Sequence, residues 1–260
     1  MHFTPAIIFL GTVALAAAAP LDTPNHPPVI KSKAFRLVVN VTDLSTDISP
    51  PVHGTEIFPY FVNSALIRAG VAQSGAGSVF LQFPDPTPQS PMWAPFGAQL
   101  ITQQGGPDNI LGLTQNYPPI LDPTDFYDNQ PNPMTFTPGQ GTKSVQLTTG
   151  GYYSYVRPRE MSGGLGDFAI CDSDLGGADH HGNPRRMRTL DFFNLSLNDK
   201  GDFAVHVPKG CTKVKLVAQC DVLRQVPENS AAAPFHKAAQ EVRCYENVMK
   251  IDWGRYNFEM

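Results

Sequence analysis

Cys211 and Cys220 flank the segment Thr212–Gln219, in which Lys213 and Lys215 alternate with Val214, Leu216 and Ala218. Apolar residues at every second position mark a half-buried strand. At about 3.3 Å per residue, the two ends of such a strand lie roughly 30 Å apart. A disulfide needs Cα atoms about 4.4–6.8 Å apart. The two flanking cysteines therefore cannot bond each other, and each must reach for Cys171 or Cys244, the other two in the chain. Two pairings satisfy that condition, and both stay open at this level. Closing a loop of the length between Cys171 and Cys211 contributes about 4 kcal/mol if the gain is chain entropy alone.

Thiols pair where the compartment is oxidising, and the N-terminus points to such a compartment. Residues 1–6 are short and mildly polar, Ile7–Ala19 is a run of small and apolar residues, and Ala16–Ala19 precedes Pro20. Small residues before the cut are what signal peptidase accepts, so 1–18 is read as a signal peptide with cleavage after Ala18. Positive charge ahead of the apolar run comes only from the α-amino group and His2. The run falls short of the roughly 20 residues that span a bilayer, and no later segment resembles a membrane span. Secretion to the extracellular space is the expectation. No CxxC pair exists, which favours crosslinks over a zinc site.

Twenty-five prolines, 22 glycines and a charged fraction of 16% describe a chain rich in turns and poor in exposed helix. Aspartate outnumbers glutamate, again a turn preference. These features predict a mainly β fold, an antiparallel β-sandwich or distorted barrel. In Ala34–Asp43, Phe35, Leu37, Val39 and Val41 share one face at period two. Further strands are predicted at 56–68, 78–83, 144–149, 152–157, 167–171, 188–193, 202–207, 212–220 and 243–252, the 188–193 and 202–207 pair as a hairpin. Residues 84–142 are crowded with proline and read as a long, ordered but irregular excursion, or as an insertion with only short strands. One short C-terminal helix is expected at 235–242, with Pro234 in its first turn. The predicted layout is a flexible Pro-rich N-terminus at 19–32, a single β-rich domain over 33–253 and a tail at 254–260. A net charge of −4 and the lack of a basic run set nucleic acid aside as a partner.

Phe168-Ala-Ile-Cys171, Pro208-Lys-Gly-Cys211 and Lys215-Leu-Val-Ala-Gln-Cys220, together with the early strand Phe35–Thr42, resemble a pattern in uncharacterised secreted proteins of ascomycete fungi. The shared pattern is Phe-x-Ile/Val-Cys, then Pro-x-x-Cys, then Cys, and it covers the two ends of the mature domain. The resemblance implies a secreted β-rich domain of unknown function and implies no catalytic residues. Cys244 and the residues after it have no counterpart in it.

Several clusters could carry chemistry. Asp172, Asp174, Asp179, His180 and His181 fall in one Gly-rich stretch, and carboxylates with imidazoles could hold a divalent metal. The stretch lacks the spacing of an EF-hand or of a His-Glu-x-x-His helix, and Arg185, Arg186 and Arg188 downstream could balance its acids. The Arg185-Arg186 pair is also a possible processing site. Asn40-Val-Thr and Asn194-Leu-Ser are N-glycosylation sequons, and Asn40, opposite the apolar face of its strand, is expected to face solvent. Gln73-Ser74-Gly75 lacks the glycines of a nucleophile elbow. His53, His206 and His236 are isolated. Glu56 and Glu160 could be imagined as a glycosidase pair but read as surface charges. Trp93 is the best candidate for an exposed ligand platform. The sequence thus favours a non-catalytic protein binding an extracellular ligand or surface polymer. The alternative is a secreted hydrolase or metal-dependent enzyme using the Asp172–His181 loop. No cofactor beyond that possible divalent metal is implied.

Overall fold

A computed structural model describes residues 27–84, 98–103, 108–115, 131–139, 141, 145–147, 153–155, 166–178, 182, 184–197 and 203–256. The described residues form β1 (Ile30–Ser32), β2 (Ala34–Val41), β3 (Glu56–Phe61), β4 (Ile67–Ala72) and β5 (Val79–Pro84). Next come β6 (Ala98–Gln103), β7 (Ile110–Gln115), β8 (Asn132–Pro138), β9 (Val145–Leu147) and β10 (Tyr153–Tyr155). The series ends with β11 (Gly166–Ala178), β12 (Pro184–Leu197), β13 (Phe203–Val205), β14 (Cys211–Asp221), helix α1 (Ala233–Ala238) and β15 (Val242–Cys244).

Eleven of these strands join one antiparallel sheet in the order β13-β12-β11-β14-β2-β3-β4-β8-β7-β6-β5. The sheet wraps over itself at two places. β5 returns to the start of β2 through Phe35↔Phe80 and Arg36↔Val79, while β3 meets the middle of β2 through Val38↔Glu56. β12 likewise touches β4 and β8 as well as β11. These few pairs make a sandwich-like fold that is not closed into a true barrel. The main core fills the space between, and it holds the predicted set Phe35, Leu37, Val39 and Val41 with Leu216 and Ala218 of β14. Each such side chain taken fully out of water contributes about 1.5–3 kcal/mol.

The Pro-rich stretch is the main departure from the expected layout. β6, β7 and β8 all lie within 84–142, and they form the β8-β7-β6 run of the sheet rather than an excursion from it. Pro133 sits inside β8, and Pro138 ends it. Leu100, Leu111, Leu113, Met134 and Phe136 from these strands are core residues, so apolar burial outweighs the proline content. The predicted strand at 56–68 is in fact a hairpin: β3 and β4 pair from Glu56↔Ala72 to Phe61↔Ile67. Its turn is held by the Asn63 side chain, which accepts from the Ala65 and Leu66 backbones. The last three residues of the segment expected to be flexible form β1, paired with β15 through Ile30↔Cys244. Helix α1 starts and ends earlier than 235–242. Pro234 stands in its first turn, but Ala239 is extended and Gln240 donates its backbone N–H to Gln82, pulling the chain off the helix.

Two disulfides close the C-terminal half, Cys171–Cys211 and Cys220–Cys244. The first joins in-register neighbours on β11 and β14. The second ties β14 to β15, and with it a C-terminal strap that lies over the second face of the sheet. Tyr245 exchanges backbone hydrogen bonds with Ala218 and Cys220, and Val248 donates its N–H to the Gln219 side chain. Tyr245, Val248, Ile251 and Trp253 pack with Val38 and Val217, and the Tyr245 and Trp253 rings meet edge-on at 5.5 Å.

β2 is therefore covered on both faces, which alternation alone cannot reveal. Asn40 is only 5% exposed. The expectation that a glycan at Asn40 would point to solvent is corrected, because the neighbouring elements bury the side chain that would carry it. Peptide mapping of protein expressed in a glycosylating host is expected to find Asn40 unmodified. A glycan at Asn40 in folded protein would contradict the burial. Asn194 lies in β12.

Candidate functional site

The candidate metal stretch divides differently from its reading in sequence. Asp172 and Asp174 belong to β11, opposite Arg188 and Arg186 of β12. Two positions apart on one strand, they share a face. Asp172 pairs diagonally with Arg186, whose Nη2 lies 3.0 Å from Oδ2 and whose Nε donates to both oxygens. Cross-strand charge pairing of this kind is ordinary sheet stabilisation. Asp174 accepts from the Gly176 N–H, closing a turn. Among the described residues no group of three or more His, Cys, Asp or Glu side chains is placed to hold a metal ion. Asp179, His180 and His181 lie outside the described residues, as do Trp93 and Glu160. Arg185 and Arg186 sit in a paired strand, with Arg185 donating to the Val62 carbonyl, which is poor geometry for a processing protease.

The structure instead builds a groove that sequence reading did not anticipate. It lies between the outer face of β5, β6 and β7 and the segment 223–236, and it encloses about 610 Å3. Volumes of roughly 300–1,000 Å3 hold small organic ligands. Its floor is Val79, Leu81, Ile101 and Ile110, and its far wall is Leu223, Val226 and Phe235. These side chains belong to a second apolar cluster beside the main core. Arg36, Ser78, Thr102, Gln103 and His236 supply polar atoms to the lining.

Local contacts hold the far wall in place. The Phe83 and Phe235 rings meet at 5.0 Å, docking α1 on β5. The Gln82 amide donates to Gln240 and accepts from the Leu147 N–H. Asp108 accepts from the Ala231 N–H and fixes the turn before α1. His236 is half-buried, and desolvation pushes its imidazole below the usual range, partly offset by a hydrogen bond with the Arg224 backbone. The ring is therefore neutral at pH 7.

The near wall is organised by one buried carboxylate. Glu56 is 1% exposed, so its reading as a surface charge is corrected. Its Oε1 accepts from the Gly75 N–H at 2.8 Å, and its Oε2 accepts from the Gly77 N–H at 2.9 Å and from Arg36 Nη1 at 3.1 Å. A Cβ at position 77 would collide with the Glu56 side chain, so the turn carries glycine for close approach rather than for flexibility. Arg36 also donates from Nε to Asp221 at 2.6 Å and from Nη1 to the Gly77 carbonyl at 2.8 Å. Burial alone would lower the Arg36 guanidinium, but the hydrogen bonds and charges of Asp221 and Glu56 more than reverse this and hold it above its usual value. The β4–β5 turn is thereby clamped to β2, and the groove has a fixed edge. The one signal available in sequence is Arg36 itself, a lone charge inside the otherwise apolar run Phe35–Val39.

A second buried polar chain lies away from the groove. The Ser173 and Thr189 hydroxyls share a hydrogen bond, and Thr189 donates to Asp191 Oδ2 at 2.9 Å. Desolvation raises the Asp191 carboxyl above the ordinary range, opposed by the Thr189 hydrogen bond and the charge of Arg68. A carboxyl raised on folding carries no penalty below its unfolded value near pH 3.9. It destabilises progressively as the pH rises through the folded value. Asp191→Asn keeps the acceptor for Thr189 and removes the charge. The variant is expected to gain stability over wild type at pH 8 and to show a smaller gain at pH 4, read from urea unfolding at both. An equal difference at the two values would contradict the shift.

A family described as a domain of unknown function (DUF7907) matches residues 32–220. The matched span includes the Pro-rich middle and three of the cysteines, and ends at Cys220, before its partner Cys244. The antigenic protein SchS34 of Stachybotrys chartarum is similar to this chain, 27% identical over 234 residues that cover 90% of the chain and 95% of that protein. No solved structure matches. With the sandwich-like sheet, the two disulfides and a match over most of its length, the chain belongs to this fungal family of unknown function, DUF7907.

Proposed function

We propose that this is a secreted, non-catalytic binding protein that holds an extracellular small molecule, or the end of a surface polymer, in the groove between β5–β7 and residues 223–236. The observation that carries the reading is the groove itself. An apolar floor and far wall are combined with a few fixed polar groups on a clamped near wall, the make-up of a ligand pocket. The arrangement offers binding chemistry. Arg36 is bonded to two carboxylates, and His236 hydrogen bonds to the Arg224 backbone. The two disulfides and the apolar leader support export, with Ala19 as the mature N-terminus.

Titration with the neutral apolar dye Nile red tests the site. Wild type is expected to give a saturable, blue-shifted signal, and Val79→Trp, which fills the floor, is expected to weaken it at least about tenfold, or about 1.4 kcal/mol. Absence of saturable binding to wild type, or equal binding by the variant, would remove the groove as a site. N-terminal sequencing of protein recovered from culture medium tests export directly.

A further inference from the structure

Resting on the groove as the binding site, we infer that its ligand is an uncharged amphipathic small molecule. Such a ligand has an apolar body on the floor and one hydroxyl or carbonyl oxygen at Arg36. The inference comes from how the charges around the groove are already used. Arg36 borders the groove, yet its cation faces two carboxylates, Glu56 at 3.1 Å and Asp221 at 2.6 Å. Arg224, also in the lining, is exposed and returns the second positive charge. Glu56 and Asp221 stand behind the lining, bonded to Arg36, and these two carboxylates offset the two guanidiniums so that the four charges sum to zero.

An ionic ligand would leave water for a groove whose surrounding charges sum to zero, and burying a charge that no net opposite charge compensates is unfavourable. A neutral oxygen meets no such cost. Arg36 spends Nε and Nη1 on Asp221, Glu56 and the Gly77 carbonyl, and Nη2 makes no hydrogen bond among the described residues. That remaining donor is the natural partner for a ligand acceptor, and a hydrogen bond from a charged donor is worth more than a neutral one. The neutral imidazole of His236 in the same lining adds no charge. Val79, Leu81, Ile101 and Leu223 then take the apolar body.

Calorimetric titration at pH 7.5 with 1-decanol, decanoate and decylammonium separates the possibilities, because the three share one chain and differ in head-group charge. Decanol is expected to bind at least about tenfold more tightly than either ion, or about 1.4 kcal/mol. Asp221→Asn leaves the groove with one positive charge in excess and is expected to raise decanoate affinity relative to decanol at least about tenfold. Arg224→Gln, an exposed site that does not threaten folding, is expected to shift preference the same way toward decylammonium. Tighter binding of either ion by wild type overturns the inference while leaving the groove as the site. Unchanged preference in both variants, with melting curves showing them folded, overturns it too. Failure of all three ligands, together with failure of Nile red, overturns the binding reading beneath it.

Discussion

Glu56→Ala is expected to destabilise the protein by about 3–5 kcal/mol, the cost of removing one partner from a buried charge pair. The loss is compounded because three donors depend on this carboxylate: the Gly75 and Gly77 N–H groups and Arg36. Truncation strands the two amides and leaves the half-buried guanidinium with Asp221 and the Gly77 carbonyl. Glu56→Gln retains an oxygen for one glycine amide but places a donor where another donor stands, and is expected to recover only part of the loss. Equilibrium urea unfolding measures both. A loss below about 1 kcal/mol for the alanine variant, the range of an exposed pair, would show that Glu56 does not hold the near wall.

Replacing Cys220 and Cys244 together by alanine is expected to cost about 3–4 kcal/mol, the chain-entropy value for a bridge with a sequence separation of 24. The bridge spanning Cys171 and Cys211 closes a longer loop, separation 40, but the logarithmic dependence adds little. The two double variants differ in what they release. Without Cys220–Cys244 the strap loses its covalent anchor to β14 and is held by non-covalent contacts, among them its backbone bonds, the Val248–Gln219 hydrogen bond and the packing of Tyr245, Val248, Ile251 and Trp253 with Val38 and Val217. Cys244 is itself fully buried in the main core, so alanine there also removes core volume. Trp253 emission should therefore shift to the red in the Cys220/Cys244 variant and stay near wild type in the Cys171/Cys211 variant. Identical spectra for the two would contradict the strap's dependence on its bridge.

The pattern of Phe35, Leu37, Val39 and Val41 was legible because period-two alternation reports the face a strand buries, and the same holds for β14. The spacing of Cys211 and Cys220 excluded one pairing for a geometric reason, and the observed bridges obey it. Alternation reports nothing about what lies on the other face. Asn40 looked solvent-facing because alternation does not show that this face of β2 is covered: Asn40 itself is buried, and Val38 on the same face packs with a strap some 200 positions away in the chain. β6, β7 and β8 were hidden by the prolines between them, since local turn propensity dominates where tertiary pairing is not yet visible. The groove was illegible for a related reason. Its floor comes from β5, β6 and β7, its wall from 223–236, and its clamp from Arg36, Glu56, Gly77 and Asp221. Only Arg36 carries a local sign of being unusual. Conversely, the Asp172–His181 stretch looked like a site because its acids are close in sequence, whereas the sheet sends Asp172 to Arg186.

Hydrogen–deuterium exchange with and without saturating Nile red tests the central claim most directly, since it reports where a bound molecule sits without assuming the residues that hold it. Slowed exchange is expected in 75–81, 101–103 and 223–236, with the β11–β12 hairpin unchanged. Protection confined to that hairpin or to the strap at 245–253, with the groove segments unaffected, would contradict it.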